Sequence, residues 1–444
     1  MVKKITLLIL PLLALATITF SQSTSWTLQQ CVDYALDNSL TIKRARNAVE
    51  LASVNDLGNR MQRLPSVNAS SSFGYQFGKT INPVTNTFID TKFGGGSSSI
   101  NGGILIYNGG IINNSIKQGK ADLMAAQLDA RASANDIALQ VASAYLNILL
   151  AEEQVANAEK QLEQSTKQLE QTDRLIQAGS LPVNDRLDFV AQVALNEQTI
   201  IEAQNLVNIN YLTLKQLLEL DPNQELRITR PEVIIPDDAN PEIFTLNEVY
   251  TSALGTQPQI EADEYRLQSA ALQEKIARAQ GLPRVSLGGS LSTNYSDQVA
   301  AGVDFFDQFK NNFGQSIGLS LSVPIYNNHN VAVNIERAKV NMANQELANL
   351  QNKQLLKADV QRAIADARAA KESYEASQRS VEAAQAAFDN AQKRFDLGAI
   401  NTLEYSTASN NLDRAQLSLI QAKYQYLFNL KVVDFYLGRE IKLD

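Results

Sequence analysis

The chain has 444 residues with 47 acidic and 39 basic side chains, which gives a net charge of −8 at pH 7. No cluster of lysine and arginine interrupts this acidic balance, so the composition argues against a nucleic-acid partner. The sequence contains one cysteine, Cys31, and one histidine, His329. A single cysteine excludes an intramolecular disulfide framework and a cysteine-rich metal site.

The first residues have the pattern of a secretory leader. Two lysines precede the apolar run Ile5–Ala16, and small and polar residues follow up to Ser21. This order predicts a signal peptide over residues 1–21. Cys31 follows a leucine and two glutamines rather than small residues, so lipid attachment is disfavoured there. Beyond the leader no stretch reaches the ~18 apolar residues of a membrane-spanning helix.

A first unit is predicted over residues 22–220. The apolar stripe after Thr27 predicts one helix, Thr27–Arg63, capped by Thr27. Alternation of apolar and polar residues then predicts a β-hairpin over residues 65–107, interrupted by a polar, turn-rich segment Gly78–Gly95. The remaining predicted elements are a long helix over residues 111–178 and a return helix over residues 183–220.

A proline-rich connector, residues 221–244, leads to a second unit over residues 245–437. The second unit repeats the order of the first, and Pro283 takes the place of Pro65 before its first strand. A period of about 200 residues is far longer than that of solenoid repeats. The predicted elements are a helix Leu246–Gln280, a hairpin 283–325 with a loop Ser296–Asn312, a long helix 327–397, a return helix 402–436 and a tail 438–444.

Both long helices carry an apolar row with a seven-residue period. In the second helix the row is Val360, Ala367, Tyr374, Val381, Phe388 and Phe395. In the first helix the row is Ile148, Val155, Leu162, Leu169 and Ile176. A small residue follows three places after each, and such a heptad predicts a left-handed supercoil. At ~1.5 Å per residue each helix is roughly 100 Å long, too long for a globular domain.

The four predicted strands have one apolar face and one face of serine, glycine and asparagine. This is the pattern of a transmembrane barrel strand, although a soluble two-sheet sandwich would show the same alternation. The export leader and the adjoining rods favour the barrel. Four strands cannot close a barrel, because the smallest have ~8 strands, so several copies must share one. The residues alone allow any small multiple of four.

The order of elements, twice over, resembles the outer-membrane efflux channel family typified by TolC. The supporting segments are Thr27–Val32, Leu64–Val67, Ile106–Gly110, Val323–Asn327 and Arg394–Gly398. The resemblance implies a mostly α-helical fold with a membrane β-barrel, in a homotrimer with a twelve-stranded barrel and a twelve-helix tunnel through the periplasm. It also implies a periplasmic adaptor (membrane-fusion) protein and an inner-membrane pump as partners, and contact with outer-membrane lipid.

The resemblance also assigns roles at the two turns that end the long helices. It places the pore constriction at Asp185, Asp188 and Glu404, where rings of carboxylates would favour cations. Acidic residues in the first turn of a helix also suit the helix dipole, which is the alternative reading. The position matching Asp188 in the second unit is Thr407, a departure from the acidic pattern. The residues assigned to adaptor docking are Gly179, Pro182, Gly398 and Asn401.

No pattern of catalytic residues supports an enzyme. His329 stands at the start of a long helix without an acid or a nucleophile in a recognisable spacing. We predict no cofactor and no metal. The expected function is a passive outer-membrane duct of a tripartite efflux or type I secretion system. The alternative is a trimeric periplasmic coiled-coil scaffold or adhesin without a through-pore.

Overall fold

The computed structural model describes residues 25–81, 86–231, 235, 240–298 and 303–439. Its helices are α1 Leu28–Asn38, α2 Leu40–Met61, α3 Ile111–Gln177, α4 Asp185–Leu217, α5 Leu246–Thr256, α6 Pro258–Ala279, α7 Phe305–Asn311, α8 Asn330–Asp396 and α9 Thr402–Tyr436. Its strands are β1 Ser66–Ile81, β2 Phe88–Tyr107, β3 Arg284–Ser296 and β4 Gly314–Ser322. The predicted signal peptide, residues 1–21, lies outside the described residues.

Each predicted helix before a hairpin is in fact two helices. The predicted helix Thr27–Arg63 breaks at Ser39, whose hydroxyl accepts a hydrogen bond from the Thr41 amide at 3.2 Å and caps α2. The predicted helix Leu246–Gln280 breaks before Pro258, because proline lacks the amide proton that a continuous helix needs. Thr27 caps α1 as predicted.

The two rods are continuous helices. Helices α3 and α8 contain 67 residues each, which corresponds to about 100 Å. Ala151, Ala158 and Thr172 are buried on α3, and Val360 and Ala367 are buried on α8. The residues predicted to form the heptad seams therefore do face neighbouring helices.

The four strands form one antiparallel sheet in the order β1-β2-β3-β4. The predicted turn-rich segment Gly78–Gly95 is wrong in part, because β1 and β2 stay paired out to Ile81 and Phe88, whereas residues 82–85 lie outside the described residues. The ladder needs only backbone groups, so a run rich in glycine and polar residues can continue it. The predicted loop Ser296–Asn312 is also wrong in part, since it contains α7, capped by Asp304.

The pairing register separates two faces of the sheet. We call them the apolar face and the polar face. The apolar face carries Val67, Phe73, Tyr75, Ile100, Leu287, Leu291, Ile317 and Leu319, and the polar face carries Asn68, Ser72, Ser97, Asn101, Ser290 and Ser316. One apolar residue near the end of β2 leaves this alternation: a register shift between Leu105 and Tyr107 places Ile106 in a bulge.

Helices and strands end at the same two edges. Below the sheet, α2, α3, α6 and α8 pack side by side in that order. Helix α2 leads into β1 and β4 leads into α8, so each outer helix adjoins an outer strand. The protomer thus has a strand edge and a helix edge together on each of its two sides.

The connector between the two halves packs against α3. The Trp26 amide donates to the Arg227 carbonyl at 2.8 Å, and the Thr229 amide donates to the Trp26 carbonyl at 2.9 Å. The buried Tyr145 hydroxyl donates to the Thr229 carbonyl at 2.6 Å. Cys31 is fully buried in the hydrophobic cluster that also contains Tyr145. Burial raises the pKa of its thiol to about 12.

Candidate pore constriction at the helix turns

Both rods end in the same glycine-dependent turn. Gly179 and Gly398 have φ values of 74° and 68°, a left-handed conformation that glycine adopts without strain. The amides of Ser180 and Ala399 donate to the carbonyls of Leu175 and Arg394 at 2.9 and 2.8 Å. These are Schellman turns, and they reverse the chain into α4 and α9.

The predicted constriction residues lie just after these turns. Asp185 and Asp188 are in the first turn of α4, and Glu404 is in the first turn of α9. Asp188 and Glu404 are exposed, and Asp185 is half-buried. Within the part of the chain that the structure describes, none of the three is in an ion pair. Their charges are therefore not neutralised within the protomer.

The neighbouring arginine has another partner. Arg186 lies between the two aspartates, but its Nε donates to Asp173 Oδ1 on α3 at 2.8 Å. This ion pair turns the guanidinium back along the coil of α3 and α4. The carboxylates of Asp185 and Asp188 can consequently act as a local negative patch at the turn.

An aromatic cluster joins the two acidic turns. Phe189, directly after Asp188, is 2% exposed. Its ring centroid lies 5.9 Å from those of Phe395 on α8 and Tyr405 on α9, and Tyr405 directly follows Glu404. Phe388 completes the cluster. The structure thus brings the first turn of α4 and the first turn of α9 together.

A hydrogen bond near the turns also connects the α3–α4 helix pair with the α8–α9 helix pair. Gln171 Nε2 on α3 donates to Asp396 Oδ1 on α8 at 2.8 Å. With the aromatic cluster it forms a second cross-link between the α3–α4 pair and the α8–α9 pair. We call these contacts the tip latch. They hold the α3–α4 pair against the α8–α9 pair at the end of the protomer that carries the two turns.

The predicted docking residues occupy exposed positions at the same end. Gly179, Pro182, Gly398 and Asn401 are all exposed. Asn401 also has a local role, since its Oδ1 accepts a hydrogen bond from the Glu404 amide at 2.9 Å and caps α9. Between α8 and α9 lies an open groove whose floor contains Ala384, Ala387, Ala391, Ala408 and Ala415. Small side chains leave room there for the ridges of another helix.

The family of the chain follows from its match to a family model. The model described as "Outer membrane efflux protein" matches residues 31–219 and 249–439, which together are most of the chain. The chain belongs to the outer membrane efflux protein family. The two matched segments fall on the two halves of the chain.

Two curated relatives match over part of their length. An uncharacterised protein of Haemophilus influenzae is 26% identical over 265 residues, which is 57% of this chain and 50% of that protein. Toxin and drug export protein A of Aggregatibacter actinomycetemcomitans is 26% identical over 218 residues, which is 48% of this chain and 44% of that protein. The chain therefore spans about half the length of the curated relatives that it matches.

Solved structures share the whole fold with this family member. The CusC structure has a TM-score of 0.79 at 19% identity, with 93% of this chain and 92% of that chain covered. VceC of Vibrio cholerae has a TM-score of 0.79 at 17% identity, covering 94% and 97%. The CmeC outer membrane channel of Campylobacter jejuni has a TM-score of 0.77 at 19% identity, covering 93% and 85%. The mostly helical channel fold is confirmed, and the matched proteins are channels rather than enzymes.

Two further features concern membrane and metal contacts. Among the described helices, none combines the length and apolar character needed to span a bilayer. Over the same described residues, no group of three or more histidine, cysteine, aspartate or glutamate side chains is placed to hold a metal ion.

The titratable group with the clearest pH effect near the turns is one that the sequence did not indicate. Burial raises the pKa of Asp413 on α9 from its ordinary value of 3.8 to about 6. A raised pKa means that the ionised carboxylate destabilises the fold above about pH 6 and that this penalty disappears as the pH falls toward 4. We expect Asp413→Asn to raise the midpoint of thermal unfolding at about pH 7 and to have no effect near pH 4.

A matched control is Asp389→Asn, which changes an exposed aspartate on α8. It should leave the midpoint unchanged at both pH values. An equal increase for Asp413→Asn at both pH values would contradict the assignment of the effect to ionisation. Thermal unfolding of the purified protein, followed by circular dichroism, measures the midpoints of both variants.

Proposed function

We propose that the chain is one subunit of a passive outer-membrane channel that carries substrates across the periplasm and the outer membrane. The observation that carries this proposal is the sheet, with its apolar face, its polar face and its two open edges. A duct needs a belt toward lipid and a polar lumen, and these two faces supply them. A periplasmic scaffold or adhesin needs neither, which disfavours that alternative.

Ring closure follows from the edges. An unpaired strand edge in a bilayer leaves backbone groups without partners at a cost of several kcal/mol each. Pairing β1 of one copy with β4 of the next removes both edges and makes a head-to-tail ring. The resemblance to the TolC-type family implies three copies, hence a homotrimer with twelve strands and twelve helices around the tunnel.

Apolar rows on the outer helices support the same contact. Leu51, Val54 and Leu57 are exposed on α2, and Val333 and Val340 are exposed on α8. Both rows lie near the sheet, because α2 ends and α8 begins there. In a head-to-tail ring these two rows face each other and are buried between neighbouring copies.

The partners and location complete the proposal. The barrel lies in the outer membrane, the rods extend into the periplasm, and the turns dock a periplasmic adaptor bound to an inner-membrane pump. Exposed Gly179, Pro182, Gly398 and Asn401 and the alanine-lined groove between α8 and α9 provide the docking surface. The two-repeat division, with a leader 1–21, a connector 221–244 and a tail 438–444, belongs to this proposal. The name of the Aggregatibacter relative supports toxins or drugs as cargo.

The acidic residues at the turns give the channel its ion selectivity. In a three-fold ring, Asp185, Asp188 and Glu404 each occur three times around one axis, and carboxylate rings favour cations. Asp188 and Glu404 are exposed, Asp185 is half-buried, and none of the three has an ion pair within the described chain, so their charges are free to act.

Single-channel conductance in a planar bilayer tests the proposal. We expect a small, cation-selective conductance from the wild type. The triple variant Asp185→Ala/Asp188→Ala/Glu404→Ala should have a lower cation selectivity, because the carboxylates that attract cations are removed. Its conductance should rise, because alanine side chains are smaller and less hydrated than carboxylates at the narrow end. Glu197→Ala, an exposed acid further along α4, is the control and should leave both unchanged. Unchanged selectivity in the triple variant would show that these residues do not form the constriction. A membrane-inserted oligomer that does not conduct, even with its adaptor, would favour the scaffold alternative.

A further inference from the structure

A groove lies on the apolar face of the sheet beside α7. Its volume is about 380 Å³, and most of the surface that it presents is hydrocarbon, although serines and a threonine also line it. This size lies within the range of small-molecule sites, ~300–1,000 Å³. The principal lining side chains on this face are Ala69, Ile100, Leu291, Phe309 and Phe313.

Hydroxyl groups occur at one level of this otherwise apolar face. Ser71 Oγ and Ser98 Oγ are 2.9 Å apart and share a hydrogen bond. Thr293, in the same row across the sheet, donates to the Phe309 carbonyl at 2.9 Å and fixes the end of α7. All three line the groove. Their hydroxyls are engaged, so the groove presents mainly hydrocarbon to an occupant.

Charge and aromatic residues place this groove below a membrane surface. Lys92 Nζ lies 4.1 Å from the centroid of the Tyr75 ring. A lysine that lies over aromatic rings on a lipid-facing surface is typical of the membrane–water interface. Ser71 is four residues from Tyr75 along β1, which corresponds to ~13 Å. The groove therefore lies on the hydrocarbon side of that interface.

Helix α7 extends the apolar surface outward. The helix is 7 residues long, and two of its side chains are exposed: Phe306 is 77% exposed and Phe305 is 50% exposed. Aromatic side chains on a short amphipathic helix insert at the boundary of headgroups and acyl chains. Gln308 on its other side is buried and accepts a hydrogen bond from the Ser296 amide at 3.0 Å. The helix is thus fixed to the sheet with its phenylalanines toward lipid.

We propose that the groove between α7 and the apolar face binds one acyl chain of a lipid A molecule of the outer leaflet. This inference rests on the proposed function, because it requires the apolar face to meet lipid and the hairpin ends to lie at the cell surface. Helix α7 connects the ends of β3 and β4 that lie opposite the rods, so the groove beside it lies toward the outer leaflet. The leaflet decides between lipid A and a phospholipid of the inner leaflet.

The test compares two adjacent serines on opposite faces. Ser98→Leu fills the groove, whereas Ser97→Leu places the same side chain on the polar face, where Ser97 pairs with Ser72. The oligomers are purified in mild detergent from outer membranes that contain lipopolysaccharide. Lipid A and phospholipid per protomer are then quantified by mass spectrometry. Ala69→Leu is a second groove-filling variant, which decides the result where Ser98→Leu does not assemble.

We expect one lipid A per protomer in the wild type and in Ser97→Leu, and its loss in the groove-filling variants. The proposal is overturned if a groove-filling variant retains as much lipid A as Ser97→Leu does. It is also overturned if the wild type retains phospholipid alone. Conductance of the same samples separates this outcome from the proposed function. A groove-filling variant that conducts like the wild type leaves the channel intact, whereas a wild type that does not insert into membranes counts against the channel itself.

Discussion

Replacing Arg266 by leucine should lower the free energy of unfolding by about 3 kcal/mol. Arg266 on α6 donates to Asp263 on the same helix and to Asp129 on α3, both at 2.6 Å. Asn352 on α8 donates to the second oxygen of Asp263 at 2.7 Å. The Asp263 side chain is only 3% exposed, so the substitution leaves a buried carboxylate without its cation.

The same network connects α3, α6 and α8, so its loss should destabilise the packing of all three helices. Arg278→Leu is the matched control, because Arg278 is 57% exposed and its partner Glu274 on α6 is 18% exposed, compared with 3% for Asp263. Surface pairs contribute ~0–1 kcal/mol. The double variant Asp263→Leu/Arg266→Leu should recover part of the loss, since no buried charge is then left unpaired. Thermal unfolding midpoints that are equal for Arg266→Leu and Arg278→Leu would refute this account.

Truncating Phe189 to alanine should release the tip latch. A buried phenylalanine changed to alanine costs about 3–5 kcal/mol. Phe189 lies among Phe388, Phe395 and Tyr405, and it is the member of this cluster that belongs to α4. The cost falls on one end of a long coil, so we expect local opening rather than global unfolding.

Hydrogen exchange and conductance measure this opening. Amides in the turns near Leu181 and Ile400 should exchange faster, and the proposed channel should conduct more without any partner protein bound. Val190→Ala is the matched control, because Val190 is the next residue on α4 and is 37% exposed. Equal exchange rates in the wild type and Phe189→Ala would show that other contacts hold the turns.

The rods could be predicted from the sequence because their signal is long and uninterrupted. Residues 329–397 contain no glycine or proline, and the heptad row continues to Phe395. The breaks at Ser39 and Pro258 were missed, since an apolar stripe on each side of a short interruption keeps nearly the same phase. Which helix packs beside which also could not be derived, because a heptad row does not identify its partner.

The sheet was predicted better in its faces than in its length. Alternation identified the apolar and polar sides, because side-chain direction follows directly from the strand period. In the outer part of the hairpin, residues 78–81 and 88–95 have little alternation, yet they continue the backbone ladder. Helix α7 is too short to show a period, and the bulge at Ile106 depends on pairing with β3.

The site illustrates the same limit. The acidic residues Asp185, Asp188 and Glu404 were assigned from the resemblance, and their role in ion selection stays a prediction. The latch was not foreseen, although Phe388 and Phe395 stood on the heptad row. Their contact with Phe189 joins residues that are far apart in the chain, and one sequence contains no signal for such a contact.

The shared edges of helices and strands have a genetic consequence. In the proposed head-to-tail ring each subunit supplies two different edges, so a subunit damaged only at β4 still offers a sound β1 edge to its neighbour. Such a subunit enters rings that it cannot complete. If the ring is the proposed trimer, and mutant and normal alleles are expressed equally and mix at random, about one ring in eight contains normal subunits alone. Alleles that damage one edge should therefore be dominant, whereas alleles that prevent folding of the whole subunit should be recessive.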